Sequence, residues 1–344
     1  MLMLVVLVVG GGLGWICYRA RVQREAVAAI EAAGGEVMFD WHFEDGFLSA
    51  GTLSWRKKVG GEPGWLRRHL GPGFFEKVIF VILDANPDDS VMRHISRLTD
   101  LQVLMNVDGR VTDAGLANVR GLSDLRWLTI SAHSITNRGL ANVGQLTRLE
   151  FLVVDLPLED LDLTFLRHLS SLQELGFGVW DVPSPDLSPI ADLTHLKSLE
   201  LGLNVRDRDL VVLKGLKELV NLELNGVRNT GVGLTHLRTL YSLKDLRLYG
   251  ATVTDLEPLR HLGHLETLCL NGTRVNDSGL APVAGCTHLR NLYLQNTPIT
   301  DAGLVHLTGL KRCGEILFHG TNVTPAGIAA LKAKCPWMGM TISQ

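Results

Sequence analysis

One recurring phrase limits what this chain can fold into more than any other feature. The pattern Leu-x-x-Leu-x-x-Leu-x-Leu starts at Leu98, Leu122, Leu146, Leu169, Leu193, Leu216, Leu240, Leu262, Cys286 and Leu310. Successive starts lie 24, 24, 23, 24, 23, 24, 22, 24 and 24 residues apart. Such a period demands an array, because each copy alone has too little core and stacking makes the core continuous. A second phrase follows in most copies. It reads Val111-Thr112-Asp113-Ala114-Gly115-Leu116, and returns as Val275-Asn276-Asp277-Ser278-Gly279-Leu280 and as Ile299-Thr300-Asp301-Ala302-Gly303-Leu304. A degenerate copy around Phe80 and Ile82 precedes the first.

Each phrase has a local physical meaning. Leu-x-Leu alternates with period two, so Leu128 and Ile130 point inward while Trp127 and Thr129 point out. Thr112 stands just before a helical run and is suited to cap its first N–H groups, with Asp113 favoured by the helix dipole. Thr324 is followed by Pro325, a good first-turn residue. Leu116, Val119 and Leu122 recur at three-residue spacing and seal the helix against the strand layer. The copies starting at Leu169 and Leu240 carry Leu187-Ser188-Pro189-Ile190 and Leu256-Glu257-Pro258-Leu259 instead of a Gly-Leu helix. A shorter or 3₁₀ segment is expected there, and Val182-Pro183-Ser184-Pro185 is expected to protrude as a loop.

These residues resemble leucine-rich repeats, of the ribonuclease-inhibitor-like and F-box-associated subtypes and of a bacterial membrane-anchored type. The resemblance runs from about Phe74 to the C-terminus. It implies an α/β solenoid, a curved parallel sheet on the concave face and helices on the convex face. It also implies that partners bind on the outward strand positions. Alternation places Trp127, Phe151, Asp155, Glu174, Glu200, Glu223, Asp245, Arg247, Tyr249 and Tyr293 on that face, and these are the predicted binding residues. Neighbouring strands lie about 4.8 Å apart, so Glu200 and Glu223 are near neighbours. Their repulsion favours a protein or peptide partner with a basic surface. A merely solvated polar face is the competing reading.

The N-terminus is of a different kind. Leu2 to Tyr18 carries no charge and no proline. It sits at the lower limit for crossing a bilayer, about 17–25 apolar residues. Trp15 and Tyr18 stand where interfacial aromatics belong, and Arg19, Arg21 and Arg24 follow. A single-pass anchor is the leading expectation, with a cleaved signal peptide and a buried helix as alternatives. Positive charge on the C-terminal side keeps the repeats in the cytoplasm. Val22, Ala26, Ala29, Ile30 and Ala33 then recur at helical spacing, Gly34-Gly35 stops the helix, and residues 36–41 alternate as a strand. Trp65 to Leu70 reads as a short helix and 44–64 as loop. The expected organisation is an anchor at 1–18 and a juxtamembrane helix with an N-terminal cap at 19–75. A solenoid of about ten to eleven units at 76–335 and a C-terminal cap at 336–344 follow.

Composition closes several other routes. Charged residues make up 20% of the 344, with a net charge of -3, so no basic excess points to nucleic acid. Five cysteines, with no Cys-x-x-Cys pair, suggest neither a disulfide framework nor a zinc site. The last four occupy core or strand positions and read as small buried hydrophobes. His195, His264 and His288 share one repeat position, with the latter two about 5 Å apart in adjacent copies. Asp124, Glu218 and Ser242 fill the same slot elsewhere, so no metal is expected. No GxSxG, P-loop, HExxH or dinucleotide-binding glycine pattern occurs, so neither enzyme nor cofactor is expected. Two other functions compete with a membrane-tethered binding module. One is an F-box-like ubiquitin-ligase or effector adaptor, which should carry a helical domain before the repeats. The other is a cryptic enzyme with a concave-face carboxylate site.

Overall fold

A computed structural model describes residues 2–40, 76–84, 87–178, 183–202, 204–225, 231–250 and 252–336, with side chains from residue 14 onward. The short helix expected at Trp65–Leu70, the loop at 44–64, part of the Val182–Pro185 loop and the cap beyond Pro336 lie outside them. So do the side chains of most of the apolar run. Among the described residues no helix is long and apolar enough to cross a membrane.

The chain divides into two compact units, Met1–Leu156 and Pro157–Gln344. The first opens with helix α1, Leu2–Ala32. Its later turns bury Ala20, Gln23, Ala26 and Ile30, a stripe recurring every three or four residues. Gln23 Nε2 donates to the Glu76 carbonyl at 3.0 Å. Arg19 pairs with Asp100, and Lys77 joins the same carboxylate at 3.0 Å. Gly34, at φ +81°, takes the left-handed turn that ends the helix. Strand β1, Glu36–Phe39, then pairs antiparallel with β2, Val78–Ile82, with Val37 opposite Val81. Strands β3 (Val103–Val107), β4 (Trp127–Ile130) and β5 (Phe151–Val154) add in parallel. Short helices α2 (Asp89–Ile95), α3 (Asp113–Leu116) and α4 (Asn137–Leu140) connect them.

The second unit stacks β6 (Glu174–Phe177), β7 (Ser198–Leu201), β8 (Asn221–Asn225) and β9 (Asp245–Tyr249). Strands β10 (Thr267–Cys269), β11 (Asn291–Tyr293) and β12 (Glu315–Leu317) complete it, and all its pairings are parallel. Helix α5, Pro325–Lys334, closes the last copy, with Thr324 as its N-cap. The inward leucines form continuous columns. Leu196, Leu219, Leu265 and Leu289 have no exposure, and Leu243 and Cys313 only 1%.

One expectation needs correction. A 3₁₀ segment was predicted only where proline replaces the Gly-Leu helix, and Ser188–Asp192 and Glu257–His261 are indeed 3₁₀. Yet Asp207–Gly215, Val232–Thr239, Ala281–Gly285 and Gly303–Leu307 are 3₁₀ as well. A 3₁₀ turn rises about 2.0 Å per residue against 1.5 Å for an α-helix. It therefore spans the back of a copy with few residues. Helical propensity alone does not see that constraint.

The Thr-Asp-x-Gly phrase also does more than cap. Thr112 Oγ1 accepts from Ala114 N–H at 3.2 Å, as an N-cap should. Asp113, however, reaches to the next copy, accepting from Thr136 N–H at 2.8 Å and from its hydroxyl at 2.7 Å. Asp89 holds Thr112, Asp277 holds Thr300 and Asp301 holds Thr324 with the same two distances. The glycine of the phrase makes room. A Cβ on Gly115, Gly139, Gly303 or Gly327 would run into the aspartate from the preceding copy.

Candidate binding face

Strand register sets the outward side chains of the second unit in rows. One row runs Glu174, Ser198, Asn221, Asp245, Thr267, Asn291, Glu315. The next runs Gly176, Glu200, Glu223, Arg247, Cys269, Tyr293. A groove of about 270 Å³ lies across β7–β9, lined by Ser198, Glu200, Asn221, Glu223, Asp245 and Arg247. The acids predicted as neighbours are neighbours, with Glu200 opposite Glu223.

Their charge is partly answered within the chain. Arg247 grips Asp245 through Nε–Oδ1 and Nη2–Oδ2, both 3.0 Å. Residues i and i+2 of one strand share a face, which brings the pair together. The Asp245 carboxylate raises the Arg247 pKa. Arg247 Nη1 also stands 4.0 Å from Glu223 Oε2, while Glu223 Oε1 accepts from Asn225 Nδ2 at 2.9 Å. Among the described residues, three carboxylates and one guanidinium line the groove. The simple repulsion expected between Glu200 and Glu223 is therefore softened. Glu174 is half-buried, and burial raises its pKa.

The aromatic members are also tied down. Tyr293 donates to Glu315 Oε2 at 2.7 Å, and burial together with that bond pushes its pKa up to about 12. Tyr249 is raised by burial and by its hydrogen bond with Cys269. Trp127, Phe151 and Asp155 belong to the first unit, the groove residues to the second. There Trp127 and Phe151 stack with ring centroids 3.4 Å apart and an interplanar angle of 11°. Glu315 and the buried Asn225 were not among the predicted binding residues. Alternation from Glu223 places Asn225 on the same outward face, whereas the reach of Tyr293 to Glu315 across strands carries no local signal.

Among the described residues no other chemistry assembles. His264 and His288 rings lie 5.5 Å apart, tilted by 41°, and His288 Nδ1 bonds the Gly263 carbonyl oxygen at 2.7 Å. Among the described residues no three histidines, cysteines or acids converge as a metal site would require. Cys269, Cys286, Cys313 and Cys335 are buried free thiols. Burial pushes Cys286 and Cys313 up to about 11, far from the thiolate range of a nucleophile.

No family model matches the chain, and neither does any curated protein. Solved structures do. An internalin, InlF, from Listeria monocytogenes superposes with a TM-score of 0.55 at 18% identity, over 73% of this chain and 82% of that one. A leucine-rich-repeat protein of Leptospira interrogans gives 0.52 at 19% identity, over 73% and 74%. The mouse RP105/MD-1 complex gives 0.56 at 20% identity, over 73% of this chain and 44% of that chain. Likeness at these identities establishes the fold, an α/β leucine-rich-repeat solenoid, and leaves function to be argued from the site.

Proposed function

We propose that this chain is a binding module and not an enzyme. In this reading its outward strand face takes a protein or peptide with a basic surface, and its N-terminal segment tethers it to a membrane with the repeats in the cytoplasm. The observation that carries the reading is the groove over β7–β9. Glu200, Glu223, Asp245 and Arg247 stand there in register on three adjacent strands. An ordered row of carboxylates steers and selects a cationic partner. The similar mouse structure is a complex of RP105 with MD-1, which supports a protein partner here.

The tether rests on the uncharged run from Leu2 to Tyr18 and the arginines after it. Trp15 and Tyr18 are 60% and 68% exposed, and the Arg19 guanidinium lies 5.5 Å from the Trp15 ring. Exposed aromatics followed by cations suit a membrane–water boundary. Helix α1 runs on into the buried stripe that packs on the first unit, so a tether there would connect without a flexible linker.

The test is crosslinking capture from native membranes, comparing the intact chain with Glu200→Lys, Glu223→Lys. Both positions are only half-buried on the outward face, so the double variant should fold. The expected result is a partner captured by the intact chain and lost by the variant. Capture of the same partner by both would sink the proposal for this face.

A further inference from the structure

The backs of two neighbouring copies in the second unit carry a mixed cationic and apolar surface. A 3₁₀ turn repeats every three residues, so the segment Asp207–Gly215 and its continuation put Val211, Lys214 and Lys217 in one line. Leu210, Leu213 and Leu216 form the buried line beside it, and Val211, Lys214 and Lys217 are exposed. In the next copy Val232, Arg238 and Tyr241 are exposed in the same way, over buried Leu234, Leu237 and Leu240. Two hydrogen bonds set these backs side by side. Thr239 donates its hydroxyl to the Lys214 carbonyl at 3.3 Å, and Gly233 N–H donates to Asp207 Oδ1 at 2.8 Å. In two other copies the positions of Val211, Lys214 and Lys217 hold only small residues, Ala141, Gly144 and Thr147 in one and Ala281, Ala284 and Thr287 in the other. Among the described residues six large apolar side chains are exposed, and Val211, Val232 and Tyr241, at 47%, 70% and 68%, are three of them. Single exposed apolar residues are ordinary, but three set among cations on adjoining copies form a patch.

The cations of the patch are open. Among the described residues none of Lys214, Lys217 and Arg238 has an ion-pair partner, whereas their neighbours Arg208 and Arg260 are paired with Asp209 and Glu257. Glu257 also feels Arg238, but its carboxylate is held by Arg260 at 2.7 and 2.8 Å. Burial lowers the His236 pKa, and the Lys214 charge lowers it further.

We infer that this patch lies against an anionic lipid surface, with Lys214, Lys217 and Arg238 among the headgroups and Val211, Val232 and Tyr241 at the boundary with the acyl chains. This rests on the tether proposed above and names what the second unit meets once the chain is held at a membrane. With the repeats in the cytoplasm, the leaflet they face is negatively charged. Its attraction falls off within about a Debye length, so only side chains close to the surface contribute. Tyrosine favours the membrane–water interface because its ring is apolar and its hydroxyl is not. Val211 and Val232 offer nothing to the carboxylates of an acidic protein, whereas a lipid surface takes charge and apolar area together.

The test uses the full chain, reconstituted in nanodiscs of phosphatidylcholine alone or mixed with phosphatidylglycerol, which brings charge without an amine. Acetylation of each lysine by an uncharged succinimidyl ester is followed by mass spectrometry. In the anionic discs Lys214 and Lys217 should label at least about fivefold more slowly than in neutral ones, the weight of one cation at an anionic surface. Lys332, exposed on α5, should label alike in both. Arg238→Glu, Tyr241→Ser keeps both reporter lysines and should restore the neutral rate. Both substituted positions are exposed, and matching rates in neutral discs check that the variant folds. Equal rates in the two discs, or protection that survives the variant, overturn the lipid contact and leave the patch to an acidic protein. A chain recovered in neither disc sinks the tether, and the contact with it. A chain recovered in both, with equal rates, sinks the contact alone.

Discussion

Gly115→Ala probes the aspartate strip on the back of the repeats most directly. A Cβ on Gly115 meets the Asp89 carboxylate, which must then leave Thr112. Two bonds are lost, from Thr112 N–H at 2.8 Å and from its hydroxyl at 2.7 Å. Hydrogen bonds to a charged group contribute about 1.5–3 kcal/mol each. Two bonds sharing one carboxylate are not independent, which puts the joint loss at about 2–4 kcal/mol. Alanine for glycine in a helix returns about 1 kcal/mol. The net expectation is a destabilisation of about 1–3 kcal/mol. In an Asp89→Ala background the collision with the carboxylate disappears, and the next nearest contact is Val111 Cγ1 at 3.0 Å, a methyl that yields by a small rotation. There Gly115→Ala should lie within about 1 kcal/mol of neutral. The assay is urea unfolding of the four chains of this cycle, followed by tryptophan fluorescence. Trp127, stacked on Phe151, reports from the same unit. Gly309→Ala, where a Cβ meets open space, serves as the control. An equal cost of Gly115→Ala with and without Asp89 would refute the argument.

Other expectations follow from the same structure. Leu219→Ala empties a position with no exposure and should cost about 2–5 kcal/mol, read as a lower urea midpoint. In native protein at pH 8 a thiol reagent should spare Cys286 and Cys313, which burial pushes up to about 11. Denaturation should expose both. Glu174 has a folded pKa raised by burial above its ordinary 4.5, so its protonated form favours folding. That contribution is full below the ordinary value and is lost as pH rises through the folded one. Glu174→Gln should therefore raise the melting temperature at pH 7 relative to the unaltered chain, and the gain should vanish near pH 3. A gain that persists at pH 3 would mean that burial of the charge is not the cause.

Much of this fold is written in residue spacing. The Leu-x-Leu pairs are strands because alternation and burial leave one solution for them, and Gly34 ends α1 because a left-handed residue is required there. What spacing fails to carry is partner choice. Asp113 looks like an ordinary first-turn acid, since one sequence window does not reveal that the next copy brings Thr136 within its reach. Arg247 was placed on the correct face, yet alternation says nothing of its grip on Asp245, and the face therefore looked more repulsive than it is. The 3₁₀ backs escaped for a similar reason. Their geometry is fixed by the distance to be spanned between stacked neighbours, a tertiary quantity. The groove was legible as a set of acids, whereas the burial of Asn225 depends on what surrounds it in space.

The forward-reaching aspartates carry a consequence for how such a gene can change. Across the last three copies both rungs have the same two distances, and the middle copy both offers a carboxylate ahead and receives one from behind. A duplicated segment of 24 residues, inserted in frame between Asp277 and Thr300, would find an acceptor waiting on one side and donors on the other. Its glycine would already be cleared for the neighbour's side chain. Copy number in this part of the chain is thus nearly neutral with respect to assembly. The breadth of the recognition surface can drift by whole copies, while the residues that do the recognising change one at a time.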